Sequence, residues 1–159
     1  MSERRLPWFR VVSFALVAAL IGGVMALLRS GGGLPDAVQP IAWNRQPCVH
    51  CQMLIGEPRA AVQLVTTDGE VRSFDDPGCA LRYLAEAQPA IHRMWFHHAH
   101  HDAWVPLAEV GFLTGGTTPM GTGLLAVEAA APGALSVEAA RARVLAPGTH
   151  ALATPEHTP

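Results

Sequence analysis

The chain has no lysine. All 11 of its basic residues are arginine, and Arg4, Arg5, Arg10 and Arg29 sit in or beside the N-terminal segment. From residue 30 onward, 7 arginines face 12 acidic residues, a formal charge of about −5. A domain with that balance lacks the basic face that a phosphate backbone requires, which argues against nucleic acid as a partner. Cysteine is scarce too. Three thiols are an odd number, so a pairing of two leaves one free, which argues against a framework stapled by disulfides alone. None precedes Cys48, so no lipid-attachment cysteine follows the N-terminal segment. A phosphate-cradling loop, a His-Glu-x-x-His pair, a Ser-His-Asp set and an isolated carboxylate pair are all missing, which removes the common hydrolytic readings.

What is present begins with an apolar run. Val11 to Leu28 is uncharged and bracketed by Arg10 and Arg29. Its length meets the roughly 17–25 residues of a spanning helix, and no small-residue cleavage site follows it. The arginines concentrate before the run, which places the N-terminus inside and the remainder outside. The expectation is a single-pass transmembrane helix in the cell inner membrane, with the C-terminal domain facing the periplasm. A cleaved signal would leave that domain in the same compartment.

The organisation expected from the pattern is an anchor over 1–29, a linker over 30–46, a metal-binding domain over 47–147 and a flexible tail over 148–159. Ala61–Val65 and Val71–Phe74 read as strands joined by the Thr67-Asp68-Gly69-Glu70 turn. Asp76 and Pro77 open a helix as N-cap and first helical residue. Ile91–Phe96 reads as another strand. A second set follows: apolar segments over 103–114, a Gly/Thr/Pro loop over 115–121, a short strand over 123–127 and a helix over 136–144 capped by Ser136. The fold class expected is α+β, with two small similar ββα-type halves, about 47–98 and 102–147, after the N-terminal helix.

The chemistry concentrates in Cys48-Val49-His50-Cys51-Gln52-Met53. Thiolate and thioether are soft ligands that favour monovalent copper. Met53-Leu54-Ile55 looks like a strand, and residues two apart on a strand share a face, so Cys51 and Met53 are expected to project together. His50 would then point away. Cys48 and Cys51 also admit a disulfide, a redox pair, or a zinc site completed by Cys79 and a histidine. Cys79 falls in the first turn of its helix, where a thiolate is stabilised; otherwise it is a small buried packing residue. Met120, in a loop with few apolar neighbours, is a candidate for a detachable third ligand. The run His97-His98-Ala99-His100-His101-Asp102 reads as a solvated loop with incidental metal affinity, or as a metal-catching or pH-sensing element.

Three segments together, Cys48–Met53, Phe74-Asp75-Asp76-Pro77-Gly78-Cys79 and Thr118-Pro119-Met120-Gly121-Thr122-Gly123-Leu124, resemble the NosL-type accessory proteins of nitrous oxide reductase, across about residues 43–145. The resemblance implies an extracytoplasmic, membrane-attached copper(I) chaperone rather than an enzyme. It implies metal ligation by Cys51, Met53 and Met120, with Cys48 as a further candidate. The implied partner is a copper-accepting enzyme, nitrous oxide reductase or a terminal oxidase, with no small-molecule substrate. The chain departs from the family in having an apolar segment where a lipidated cysteine is usual, and Gln52 where glycine is usual. Two other readings stand beside this one: a thiol–disulfide reductase that maintains a copper-site cysteine pair, and a structural zinc or disulfide module.

Overall fold

The computed structural model describes residues 8–30 and 33–147. Helix α1, Trp8–Ser30, covers the apolar run and belongs to a unit separate from the one that begins at Leu34. Among the described residues, no helix is long and apolar enough to cross a membrane. The single-pass transmembrane helix expected from the sequence is therefore not borne out: the run forms helix α1 but does not meet the length and apolarity of a span. The tail expected over 148–159 lies outside the described residues.

The unit that begins at Leu34 is α+β. Strands β1 (Val62–Thr66), β2 (Val71–Phe74), β3 (Ile91–His97) and β4 (Trp104–Pro106) form one antiparallel sheet in the order β2-β1-β3-β4. Strands β5 (Val110–Leu113) and β6 (Leu125–Glu128) form a second, two-stranded sheet. Helix α2, Pro77–Ala87, follows β2, and helix α3, Val137–Leu145, follows β6. The element order runs β1-β2-α2 and later β5-β6-α3, but β4, beyond the division expected at 98–102, pairs with β3 in the first sheet.

The reasons are local. The Thr66–Glu70 turn closes with Gly69 at a φ of 88°, a conformation that glycine adopts without a Cβ penalty. It sets the register Val62↔Phe74. Asp76 caps α2 by accepting from the Gly78 N–H at 2.6 Å, and Ser136 caps α3 by accepting from the Ala139 N–H at 3.2 Å. Gln88, left-handed at a φ of 45°, ends α2 one residue before Pro89.

β1 is buried along its whole length. Its Gln63 is satisfied by the lead-in segment, accepting from the Gln39 N–H and donating to the Gln39 carbonyl and to Ser73 Oγ. The two sheets share one core: the Phe96 and Phe112 rings meet edge to face at 5.1 Å, and Arg82 on α2 donates to the Val144 carbonyl on α3 at 3.3 Å. Burying rings of this size contributes on the order of 2–3 kcal/mol each, and the core places the start of α2 and the loop before β6 side by side.

Two local expectations are corrected. Met53–Ile55 is not a strand; its sheet-like pairing is an isolated bridge, Pro47↔Leu54. The histidine run is not a uniformly solvated loop. His97 and His98 are buried while His100 and His101 are exposed. His98 Nδ1 accepts the N–H groups of His100 and His101 at 3.0 and 3.1 Å, which leaves its Nε2–H for Glu128 at 3.1 Å. Imidazole can form all three bonds as one neutral tautomer, so His98 folds the turn that leads away from β3.

Candidate metal centre

Cys48 to Met53 form a tight turn. The Cys48 carbonyl accepts from Gln52 N–H at 3.0 Å, and Cys48 N–H donates to the Met53 carbonyl at 2.8 Å. Gln52 takes the left-handed φ of 65° that closes it. The turn docks on the sheet through Val49 N–H and the Ser73 carbonyl, 3.0 Å apart. Cys48 is thereby fully buried, Cys51 half-buried and Met53 about half exposed, at 51%. The strand alternation expected to align Cys51 with Met53 does not occur; the turn closed by Gln52 relates them instead.

The second component comes from the junction of β2 and α2. Asp75 directly follows β2 and Cys79 lies in the first turn of α2; both are fully buried. The two Sγ atoms of the turn, the Cys79 Sγ and an Asp75 carboxylate oxygen all lie within 4.8 Å of one another. All three cysteines are free. Cys51 Sγ donates to Asp75 Oδ1 at 3.3 Å, and Asp75 Oδ2 is buried without a hydrogen-bond partner. A buried, unpartnered carboxylate oxygen is costly unless something cationic or protic meets it.

The three thiols are electrostatically unequal. The Cys79 thiol donates to the Cys48 sulfur, and the backbone N–H groups of Cys51 and Asp75 point at it as well, which lowers the Cys48 pKa from 9.0 to about 6 against the opposing effect of burial. Burial, together with the neighbouring Cys48 and Asp75, pushes Cys51 up to about 12. Cys79 is raised further, first by its hydrogen bond to Cys48 and then by burial. One thiolate cradled by two thiols is a site holding protons that a soft cation can displace.

Met120 approaches from the loop before β6. Its N–H donates to Asp76 Oδ2 at 3.1 Å, and Thr122 Oγ1 donates to Asp76 Oδ1 at 2.6 Å. Its half-buried side chain packs against the large hydrophobic core, which also includes Cys48 and Cys79. Of the four sequence candidates, Cys48 and Cys51 belong to this group; Met53 follows Cys51 in the same turn, and Met120 is tied through its N–H to Asp76, beside the helix start that carries Cys79. His50 does not join it; its Nε2 lies 3.4 Å from Glu86 Oε2. Sequence reasoning left Asp75 out of the donor set and weighed Cys79 mainly as packing. The available signal was their place on either side of the Asp76–Pro77 helix start, which fixes both against the sheet.

No known family profile matches the chain, and no curated relative matches it. Among solved structures it is similar to the crystal structure of the copper chaperone NosL from Shewanella denitrificans, at 20% identity, covering 69% of this chain and 87% of that one, with a TM-score of 0.48.

Proposed function

We propose that the protein is a copper(I) chaperone that binds the ion at the Cys48–Met53 turn and passes it to a copper enzyme. The observation that carries this reading is the convergence of three free cysteine sulfurs and Asp75 within 4.8 Å, reached from solvent through the half-buried Cys51 and the exposed Met53. Cys51, Met53 and Met120 are the proposed copper ligands, with Cys48 behind them. Soft sulfur donors in low coordination number suit monovalent copper. Met53, exposed on the turn, is the ligand a recipient's thiolate or imidazole can replace first. Transfer is then a stepwise exchange of ligands driven by the recipient's higher affinity, and no bond in a substrate is made or broken.

The motif resemblance supports nitrous oxide reductase as the recipient, with a terminal oxidase as the alternative. The apolar run between Arg10 and Arg29 supports an extracytoplasmic placement, whether that run is retained or cleaved. Reporter fusions at residue 147 that are active only outside the cytoplasm test the placement.

The test of the function is a chelator-competition titration with copper(I) under reducing conditions. One tight equivalent, weakened by Cys51→Ser and by Met53→Ala, supports the reading; no tight binding by the intact protein ends it. A second reading, a structural zinc module, draws on the Asp75 oxygen, because three thiolates and a carboxylate suit a tetrahedral zinc ion. Zinc in the purified protein that copper(I) cannot displace would favour it. A thiol–disulfide reductase is disfavoured, because its attacking thiolate must be reachable and the activated thiol here, Cys48, is fully buried.

A further inference from the structure

We propose that Asp76 is a positioning residue that holds the Met120 thioether at the cysteine cluster. This rests on the copper reading for its purpose, but its geometry stands alone. Asp76 is fully buried, and its carboxylate receives three donors, one from its own helix start and two from the distant 118–122 loop. Oδ1 accepts from the Gly78 N–H at 2.6 Å and from Thr122 Oγ1 at 2.6 Å; Oδ2 accepts from the Met120 N–H at 3.1 Å. One side chain is therefore both the cap of α2 and the fastening of the 118–122 loop onto it.

The loop is stiff within itself. The Gly121 N–H donates to the Thr118 carbonyl at 2.9 Å, and the Gly123 N–H donates to Thr118 Oγ1 at 3.2 Å. A stiff loop fastened at one point moves as a body if the fastening is cut. The contact is also close-fitting, since a Cβ built on Gly78 would lie 2.3 Å from Thr122 Cγ2. Cys79 stands three residues after Asp76, on the helix that Asp76 caps. Asp76 thus joins the element carrying one sulfur to the loop carrying another, and the distance between them depends on its two oxygens. A neutral amide cannot reproduce this. Asparagine caps a helix as well as aspartate does, but one of its two ends is a donor and would face the Met120 N–H.

The experiment uses the full chain and the Asp76→Asn, Met120→Ala and double variants. Copper(I) affinity is measured by chelator competition, and sulfur coordination number by X-ray absorption. In the metal-free protein, hydrogen exchange is followed at the Met120 amide. Asp76→Asn is expected to speed that exchange at least tenfold, to lower copper affinity about 10–100-fold, in the range of losses for outer-shell partners of metal ligands, and to remove one sulfur from the shell. The double variant is expected to be no weaker than Met120→Ala. Unchanged exchange at Met120, or losses that multiply in the double variant, would overturn the proposal. If the wild-type protein binds no copper, the functional reading fails while the exchange result still decides whether Asp76 holds the loop. Should Asp76→Asn fail to fold, Thr122→Val removes one of the loop's two bonds to the same carboxylate. It is expected to shift exchange and affinity in the same direction, and no shift in either would count against the proposal.

Discussion

The Cys51 thiol donates to Asp75 Oδ1 across 3.3 Å, joining the Cys48–Met53 turn to the junction of β2 and α2. Burial first, then Cys48 and the Asp75 charge, keep this most accessible cysteine of the centre protonated. A carboxylate beside a thiol opposes its ionisation, adding to the effect of burial and of Cys48. Asp75→Asn removes that charge and offers the sulfur an N–H donor. The Cys51 pKa is expected to fall, and alkylation of Cys51 at neutral pH to speed up roughly 3–10-fold, since one pKa unit is tenfold in thiolate. Mass spectrometry of the modified peptide over time checks this, and an unchanged rate in the variant contradicts it.

Cys48 gives the centre a pH signature. Its pKa is about 6 when folded, against an ordinary 9.0. Below 6 both folded and unfolded chains hold the proton, so the group contributes nothing. Between about 6 and 9 the folded chain carries a thiolate while the unfolded chain stays protonated. The stabilisation from Cys48 therefore grows with pH across that window and is lost as pH falls through about 6. Cys51 and Cys79 are raised and act in the opposite sense above 9, where the unfolded chain ionises more readily than the folded one. In metal-free, reduced protein, the gap in melting temperature between wild type and Cys48→Ala is expected to widen from pH 6 to pH 9. A gap independent of pH would show that the thiolate is not formed.

The contrast between Asp76 and Met53 shows how far the sequence could be read. The order β1-β2-α2 was legible because a turn, an N-cap and a proline are local signals whose physics lies within a few residues. Asp76 was readable as a cap for the same reason. Its hold on Met120 was not, because that bond depends on the packing of the 118–122 loop against the start of α2. Met53 failed the other way. Alternation on a strand put Cys51 and Met53 on one face, but the left-handed Gln52 bends the chain into a turn, and a glutamine there gives no sign of it. His98 was misread because its two nitrogens are satisfied by backbone N–H groups beyond it and by Glu128, and a histidine-rich run looks solvated until those partners are known.

Gly78 lies against Thr122 of the 118–122 loop, and its substitution should report on that contact. An alanine Cβ would meet Thr122 Cγ2 at 2.3 Å and Thr122 Cβ at 2.9 Å. Neither atom is the end of a long side chain that can swing away. Gly78→Ala is expected to destabilise the protein by about 1–3 kcal/mol, the range for inserting a methyl group into a filled space. Copper(I) affinity should fall in parallel, because the clash pushes the Met120 loop off α2. Thr122→Ser removes the nearer methyl while keeping the hydroxyl for Asp76, so the double variant should recover part of both losses. Denaturant midpoints and copper titrations on the three variants check this. A stable Gly78→Ala protein with full copper affinity would mean the loop has room to move.

Gln52 closes the ligand turn at a φ of 65°, and the side chain it carries there has a cost. A non-glycine residue in the left-handed region is disfavoured by roughly 1–2 kcal/mol. Glycine would remove that strain but bring a larger unfolded-state entropy, about 0.5–1 kcal/mol. It would also lose the exposed bond from Gln52 Nε2 to the Val49 carbonyl. The net expectation for Gln52→Gly is a small gain, about 0.5 kcal/mol. Gln52→Ala keeps the strain and loses the bond, so it should be less stable than the wild type. The predicted order in a denaturant series is therefore Gly above Gln above Ala. The backbone course from Cys51 to Met53 is the same in all three, so copper(I) affinity should differ by less than about threefold, well under the tenfold that 1.36 kcal/mol represents. Were the alanine variant as stable as the glycine one, the left-handed turn would not be what holds Cys51 and Met53 in place.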